Sequence, residues 1–343
     1  MLTYLKLTNF RNHKDLRLDI GKITVIVGKN GVGKSNVLEA LSLFSSCRSF
    51  REDDKKSLIN LESDFSRIES DSLEIFLQKQ PQFLFRAKYK GVFKKQSDFI
   101  GLLKSVVFSP ETISIITGSP KNRRKFLDIM ISQKSREYLR ALIAYEKVRS
   151  ERNSLLQRIN RNEAKRSELA FWNEALIAEG TKIINERQKA LNYINEKISS
   201  LYCKISVHKD RLSLIYLKTE AKDFSEELNR HQEGEIASGR TLIGPHRDDL
   251  VFDLNGVDMA NFASRGEMRS AILALKICEL EYLSEGSLNT PLLLLDDVFS
   301  EFDGERREHL TGLIENYQTL ITTTDREFLS DNLKKESKII ELI

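Results

Sequence analysis

Gly28-Lys29-Asn30-Gly31-Val32-Gly33-Lys34-Ser35 decides the reading of this chain. It fits G-x-x-x-x-G-K-[ST] at every fixed position. Before it stands Ile23-Thr24-Val25-Ile26-Val27, a β-branched run suited to a buried strand. After it, Val37, Leu38, Leu41 and Phe44 recur at helical spacing, which predicts a helix from Ser35 to Ser45. Glycines let a backbone fold around an anion so that successive N–H groups point at its oxygens, and a following helix adds the positive end of its dipole. The segment therefore reads as the phosphate-binding loop of a nucleotide site. Lys34 is expected to reach the β- and γ-phosphates of ATP, and Ser35 to bind Mg²⁺.

A metal beside the phosphates needs an acidic partner. Leu292-Leu293-Leu294-Leu295-Asp296-Asp297 supplies one, as an apolar strand suited to the centre of a parallel sheet with carboxylates at its C-terminal end. Asp296 is expected to hold Mg²⁺, directly or through water, and Asp297 to polarise an attacking water. Ser264-Arg265-Gly266-Glu267 lies 32 residues before Asp296, just ahead of a helix expected from Arg269 to Leu283. Serine and glycine at a helix start can serve an anion or simply cap the helix.

Outward from these motifs the chain changes texture. Its first part alternates at Tyr4–Leu7, from Lys14 to Ile20, at Leu73–Leu77 and at Phe83–Tyr89, as strands do. No proline occurs between Lys121 and Gly244, where helix formers dominate. Two long helices are expected there, from Arg123 to Ile159 and from Glu168 to Leu201, paired as an antiparallel hairpin with Arg158 to Lys165 at its tip. Strand character returns from Val207 to Leu217 and at Asp249–Leu254, and the last strand is expected at Thr319–Thr323. The fold expected is α/β, with an ATPase head assembled from residues 1–115 and 241–343 and a mainly helical lobe inserted at 116–240.

The 343 residues, 40% hydrophobic and 30% charged, suit a soluble globular chain. No apolar run approaches the length of a membrane helix, and the first residues lack the pattern of a signal peptide. Cys47, Cys203 and Cys278 are widely separated and suggest reduced thiols in a cytoplasmic protein. Net charge is only +4, but residues 121–200 carry 18 Lys or Arg against 10 Asp or Glu. Such an excess suits either a nucleic-acid surface or a solvated helical face.

The combination of phosphate loop, Ser-x-Gly and acidic strand resembles the ABC-type ATPases. In that class the Ser-x-Gly signature contacts the γ-phosphate of ATP held by the other subunit, which here implies that Ser264 and Gly266 serve a dimer. Ser300-Glu301-Phe302-Asp303 resembles the interface loop after the acidic strand. The opening Leu7-Thr8-Asn9-Phe10-Arg11-Asn12-His13 resembles the chromosome-maintenance and repair branch, which makes Arg11 a candidate nucleotide contact, against the alternative of a plain surface turn.

Within that branch the chain is similar to the RecF family. The similarity rests on Cys47-Arg48-Ser49-Phe50-Arg51, on Pro110-Glu111, and on Gly118-Ser119-Pro120-Lys121-Asn122-Arg123-Arg124-Lys125-Phe126-Leu127-Asp128. It extends through Gly244-Pro245-His246-Arg247-Asp248-Asp249-Leu250 and the block from Leu295 to Asp303. Thr112, Glu267-Met268 and Phe302 depart from the family pattern. The resemblance implies an ATP-dependent homodimer that binds double-stranded and gapped DNA with little sequence preference, works with RecR and RecO in repair and replication restart, and lets go on slow, DNA-stimulated ATP hydrolysis. Arg123, Arg124 and Lys125 are then either DNA contacts or braces of the helix start. The rival is an ABC-type ATPase subunit of a transporter. The opening motif and Thr322-Thr323-Thr324-Asp325, where transporters place a switch histidine, argue against it.

Overall fold

A computed structural model describes residues 1–206, 209–219, 223–287, 289–300, 304–329 and 331–343. The chain divides into two compact units, one of Met1–Ile113 with Ile272–Ile343 and one of Ser114–Ala271.

Strands β1 (Tyr4–Phe10) and β2 (His13–Asp19) form an antiparallel hairpin. β3 (Ile23–Val27) leads into the helix Lys34–Ser46. β4 (Phe65–Ser70), β5 (Leu73–Gln78), β6 (Leu84–Tyr89) and β7 (Val92–Lys94) extend the hairpin into a sheet of order β2-β1-β4-β5-β6-β7. β5 alternates between buried and half-buried positions, the signature of a sheet with one covered face. β8 (Ser105–Phe108) precedes the second unit, which contributes β9 (Leu212–Leu217), β10 (Asp249–Leu254) and β11 (Val257–Asp258). The chain then returns to the first unit with β12 (Leu292–Asp296), β13 (Gln318–Thr323) and β14 (Lys338–Glu341).

The sheet that positions the site runs β14-β3-β13-β12-β8, every neighbouring pair parallel. β3, β12 and β13 are buried at every residue. That continuous burial is what their unbroken apolar and Thr-rich sequences provide. The helix Lys34–Ser46 packs Val37, Leu38, Leu41 and Phe44 into a core shared with Leu5, Leu7, Leu292, Leu294 and Leu320.

The second unit is built on the helices Arg136–Asn160 and Leu169–Asn195. Tyr138 meets Arg187, Tyr145 lies against Gly180, and Arg152 bonds Asn173. These contacts advance by seven residues on one helix as they retreat by seven on the other, so the pair is antiparallel, as expected. Each expected long helix is nonetheless two. Ser135 is extended, and its side chain accepts from Tyr138 N to start a new helix after Pro120–Lys134. Ile198–Ser206 is likewise separate from Leu169–Asn195.

Other expectations shift. The sequence reading ended the strands at Thr319–Thr323, but β14 follows and pairs with β3. It is short and half exposed, so its Ile339-Ile340 core made too weak a pattern. The helix expected from Arg269 begins at Arg265. The boundary expected at 240/241 also differs, because β10 pairs with β9 along its whole length and ties this segment to the Ser114–Ala271 unit. Val207 and His208 at the start of the expected strand, and Glu301, Phe302 and Asp303 of the interface loop, lie outside the described residues.

Candidate nucleotide site

The site forms where β3 ends. Gly28 N–H donates to Thr323 O at 3.4 Å, which ties the loop to β13. A Cβ on Gly28 would stand 2.5 Å from Leu342 O, so only glycine allows the chain after β14 to pass this close. Gly31 and Gly33 take left-handed backbone, at φ 88° and 101°. Gly33 is the N-cap of the helix Lys34–Ser46 and makes no side-chain capping bond, and no acid stands in the first turn. The helix's own sequence therefore does not compensate the positive end of its dipole, which suits an anion site.

Lys34 is 7% exposed. Its Nζ donates to Gly28 O at 2.7 Å and Lys29 O at 2.9 Å, so the ammonium lies across the loop Lys29-Asn30-Gly31-Val32-Gly33. Ser35 Oγ donates to Asp296 Oδ1 at 2.8 Å, linking residues 261 positions apart. β13 and β12 bring this about, since the parallel register places Asp296 beside Thr322. Thr322 Oγ1 donates to the same Oδ1 at 2.7 Å and accepts from Asp297 N–H at 3.0 Å. Asp297 N–H is also placed to donate to Thr322 O at 3.1 Å. Asp297 sits at φ 50°, a conformation that costs a non-glycine residue on the order of 1–3 kcal/mol. The turn after β12 thus holds the second carboxylate in a fixed and unusual backbone state.

Sequence reasoning missed three parts of this arrangement. Asn12 Nδ2 donates to Val32 O at 3.0 Å, and His13 Nε2 lies 3.0 Å from Gly33 O. Burial lowers the His13 pKa below its ordinary value, so the ring is neutral near pH 7 and Nε2 is the donor to the carbonyl. The β1–β2 turn thereby clamps the phosphate loop. The third part is Thr322. None of these contacts is local in sequence, so no spacing pattern announces them.

Arg11, the candidate nucleotide contact, is bonded to acids of its own unit. Its guanidinium forms a bidentate pair with Glu39 at 2.9 and 2.8 Å, reaches Glu52 at 3.3 Å and donates to Ser57 O at 3.2 Å. Glu39 is fully buried and also accepts from Ser49 Oγ. In this conformation Arg11 braces the β1–β2 turn against the helix Lys34–Ser46 and the segment that follows it.

Ser264 and Gly266 belong to the other unit. Ser264 Oγ accepts from Glu267 N–H at 3.3 Å, and Glu267 Oε2 accepts from Ser264 N–H at 2.7 Å. This reciprocal pair is a capping box at the start of the helix Arg265–Ser284. It gives Glu267, which departs from the family pattern, a local role. Ser264 remains exposed. The basic cluster divides. Arg123 is bidentate to Asp249 at 2.7 and 2.9 Å and so braces its unit, whereas Arg124 donates to Asp248 O at 2.6 Å.

The parallel sheet, the phosphate loop after β3 and the acidic end of β12 define a P-loop protein with the ABC-type ATPase head fold. Residues 1–341 match the RecF/RecN/SMC N terminal domain family. The chain is 36% identical over 351 residues to the DNA replication and repair protein RecF of Lachnoclostridium phytofermentans, covering 99% of this chain and 97% of that one. It is 36% identical to RecF of Leptospira interrogans, over 97% and 94% of the two chains. A solved structure of RecF with ATP, described as a recombination mediator of the RecFOR pathway, superposes with TM-score 0.89 at 32% identity over 96% of this chain and 93% of that one. An Smc head bound to the C-winged helix domain of ScpA shares the fold at TM-score 0.56 and 15% identity, over 99% and 93% of the two chains. The chain belongs to the RecF family.

Proposed function

We propose that this protein is an ATP-dependent, DNA-binding recombination mediator in DNA repair and replication restart. The observation that carries the reading is the Ser35–Asp296 hydrogen bond. It joins the phosphate loop to the acidic strand in a chain that matches RecF relatives along nearly its whole length. The same full-length match weighs against the transporter alternative.

The donor set fits ATP with Mg²⁺. Ser35 and Asp296 offer hard oxygens, and Mg²⁺ is usually held by one or two protein ligands together with phosphates and water. Bound ATP–Mg²⁺ would supply the phosphoryl bond and the charge that draws two subunits together.

The chain's own residues then have distinct tasks. Loop amides and Lys34 bind the phosphates. Ser35 and Asp296 hold the metal, with Thr322 fixing the carboxylate. Asp297 orients and polarises water. Ser264 and Gly266 would meet the γ-phosphate bound by a second copy, so that the dimer completes each site. DNA is retained by the ATP-joined dimer and released on slow hydrolysis. The head would be built from both ends of the chain, with the Ser114–Ala271 unit inserted between them as the lobe. RecR and RecO are the proposed partners, in the cytoplasm.

Light scattering with and without ATP and gapped duplex DNA tests this reading. A doubling of mass in ATP, with DNA retained only in that state, is expected. A chain that stays monomeric in ATP and retains no DNA would overturn it.

A further inference from the structure

We propose that a cleft in the Ser114–Ala271 unit, formed by Arg124, Arg149, Arg240 and Arg247, binds the phosphodiester backbone of DNA. The cleft measures about 360 Å³. Four arginines line it, and no Asp or Glu side chain does. Its remaining polar lining includes Asn153 and His246. Three segments build it: the helices Pro120–Lys134 and Arg136–Asn160, and the chain from Gly239 to Arg247.

Arginines elsewhere in this unit show what a structural role looks like. Arg123 is bidentate to Asp249. Arg152 and Glu235 are both fully buried and lie 2.5 Å apart. Arg187 pairs with Asp128 at 2.8 Å. Each guanidinium meets a carboxylate, as burial demands.

The cleft arginines are placed differently. Arg240 and Arg247 are exposed and make no ion pair among the described residues. Arg124 donates to a backbone carbonyl, that of Asp248. Arg149 pairs with Glu146 one helical turn away at 2.5 Å, yet its Nε is buried with no acceptor. A buried N–H without a partner is costly, and an anion in the cleft would satisfy it.

His246 reports the local field. Its Nε2 faces Thr241 O at 3.1 Å, which can only accept, so Nε2 carries the proton and Nδ1 accepts from Tyr145 Oη at 2.7 Å. The ring is neutral, lowered chiefly by burial and further by Arg149, Arg247 and Arg124. The turn that carries Arg247 is held hard against the helix. Gly244 sits at φ 125°, and a Cβ there would lie 2.5 Å from Tyr145 Oη. The Arg247 guanidinium is therefore presented from a closely packed backbone. Forked donors without acids suit phosphate oxygens, and two exposed arginines at the rim suit a polyanion that continues past the cleft.

This inference rests on the proposed function, and the test separates the two. The double variant Arg240→Gln with Arg247→Gln changes only exposed side chains. Fluorescence anisotropy of labelled gapped duplex in ATP is measured across a salt series for both proteins, with light scattering to follow dimer formation. The variant is expected to dimerise normally, to bind DNA on the order of tenfold more weakly, and to show a salt slope reduced by about 2. An unchanged affinity and slope would overturn the cleft assignment and leave the mediator reading standing. Failure of the unsubstituted protein to bind DNA in ATP would overturn both. Calorimetry with inorganic phosphate distinguishes a small-anion site: phosphate binding lost in the variant while the DNA slope stays unchanged would also overturn the DNA assignment.

Discussion

The Thr322 hydroxyl donates to Asp296 Oδ1 at 2.7 Å and accepts from the amide of Asp297 at 3.0 Å, so one side chain on β13 fixes both acids at the end of β12. With Asp296 as the proposed Mg²⁺ ligand, Thr322 would orient it, and removing such a partner typically changes metal affinity or activity by about 10–100-fold. Thr322→Val keeps the shape and deletes the hydroxyl. It is expected to raise the Mg²⁺ concentration needed for ATP hydrolysis by that factor while leaving the fold intact, and a Mg²⁺ titration identical to that of the unsubstituted protein would exclude the role.

Two glycines of the phosphate loop should respond differently to alanine. Both have positive φ, but a Cβ on Gly31 meets nothing within 4 Å, while one on Gly33 would stand 2.5 Å from Asn12 Oδ1 and from His13 Nε2. Gly31→Ala pays only the backbone term, roughly 1–2 kcal/mol. Gly33→Ala must also push the clamping turn away. Calorimetry is expected to show a much larger loss of ATP affinity for Gly33→Ala. Equal losses would mean that the Asn12–His13 clamp does not shape the loop.

Arg11 offers a choice between two roles. As a plain nucleotide contact its loss would weaken ATP binding and little else. The geometry favours the brace, because Arg11→Ala leaves Glu39 fully buried without its cation. Breaking a buried pair on one side costs about 3–5 kcal/mol. Urea denaturation without nucleotide should therefore show the loss directly. An unchanged midpoint would return Arg11 to the nucleotide.

How much of this was legible in sequence follows from the range of each interaction. The loop Gly28–Ser35, its flanking strand and helix, and the apolar strand before Asp296 are local patterns, and they read directly. The pairing of Ser35 with Asp296 was inferred because each half of the site needs the other. Asn12, His13 and Thr322 were missed because their role is set by a register between distant segments. Arg11 stands out in sequence as a candidate contact, but its partner Glu39 is 28 residues away on a helix that sequence marks only by its apolar face. Ser264-Arg265-Gly266-Glu267 contained a capping box in plain view. That box starts the helix at Arg265, four residues before the apolar periodicity that marks it from Arg269.

Ser264 separates its two tasks by substitution. Ser264→Arg loses the hydroxyl that accepts from Glu267 N–H, at a cost of about 1 kcal/mol. It also places a large cation where a second copy is proposed to bring phosphate. ATP affinity of the monomer is expected to stay near that of the unsubstituted protein while the ATP-dependent dimer is lost. A normal dimer in light scattering would confine Ser264 to its capping role.

His246 gives a pH dependence of defined sign. Burial, with the nearby Arg149, Arg247 and Arg124, holds its pKa down to about 3, against 6.5 for the free side chain. Between those values the unfolded chain takes up a proton that the folded chain refuses. The stability contributed by the neutral ring is therefore complete above pH 6.5 and is lost progressively as pH falls toward 3. His13, also lowered by burial, acts in the same direction, so the total slope does not isolate either ring. His246→Gln removes one titration and keeps hydrogen-bonding capacity toward Thr241 O and Tyr145 Oη. Urea midpoints measured from pH 7 to pH 5 should fall less steeply for this variant than for the unsubstituted protein. Parallel slopes would mean that His246 is protonated in the folded chain and that the arginine-lined cleft tolerates another positive charge.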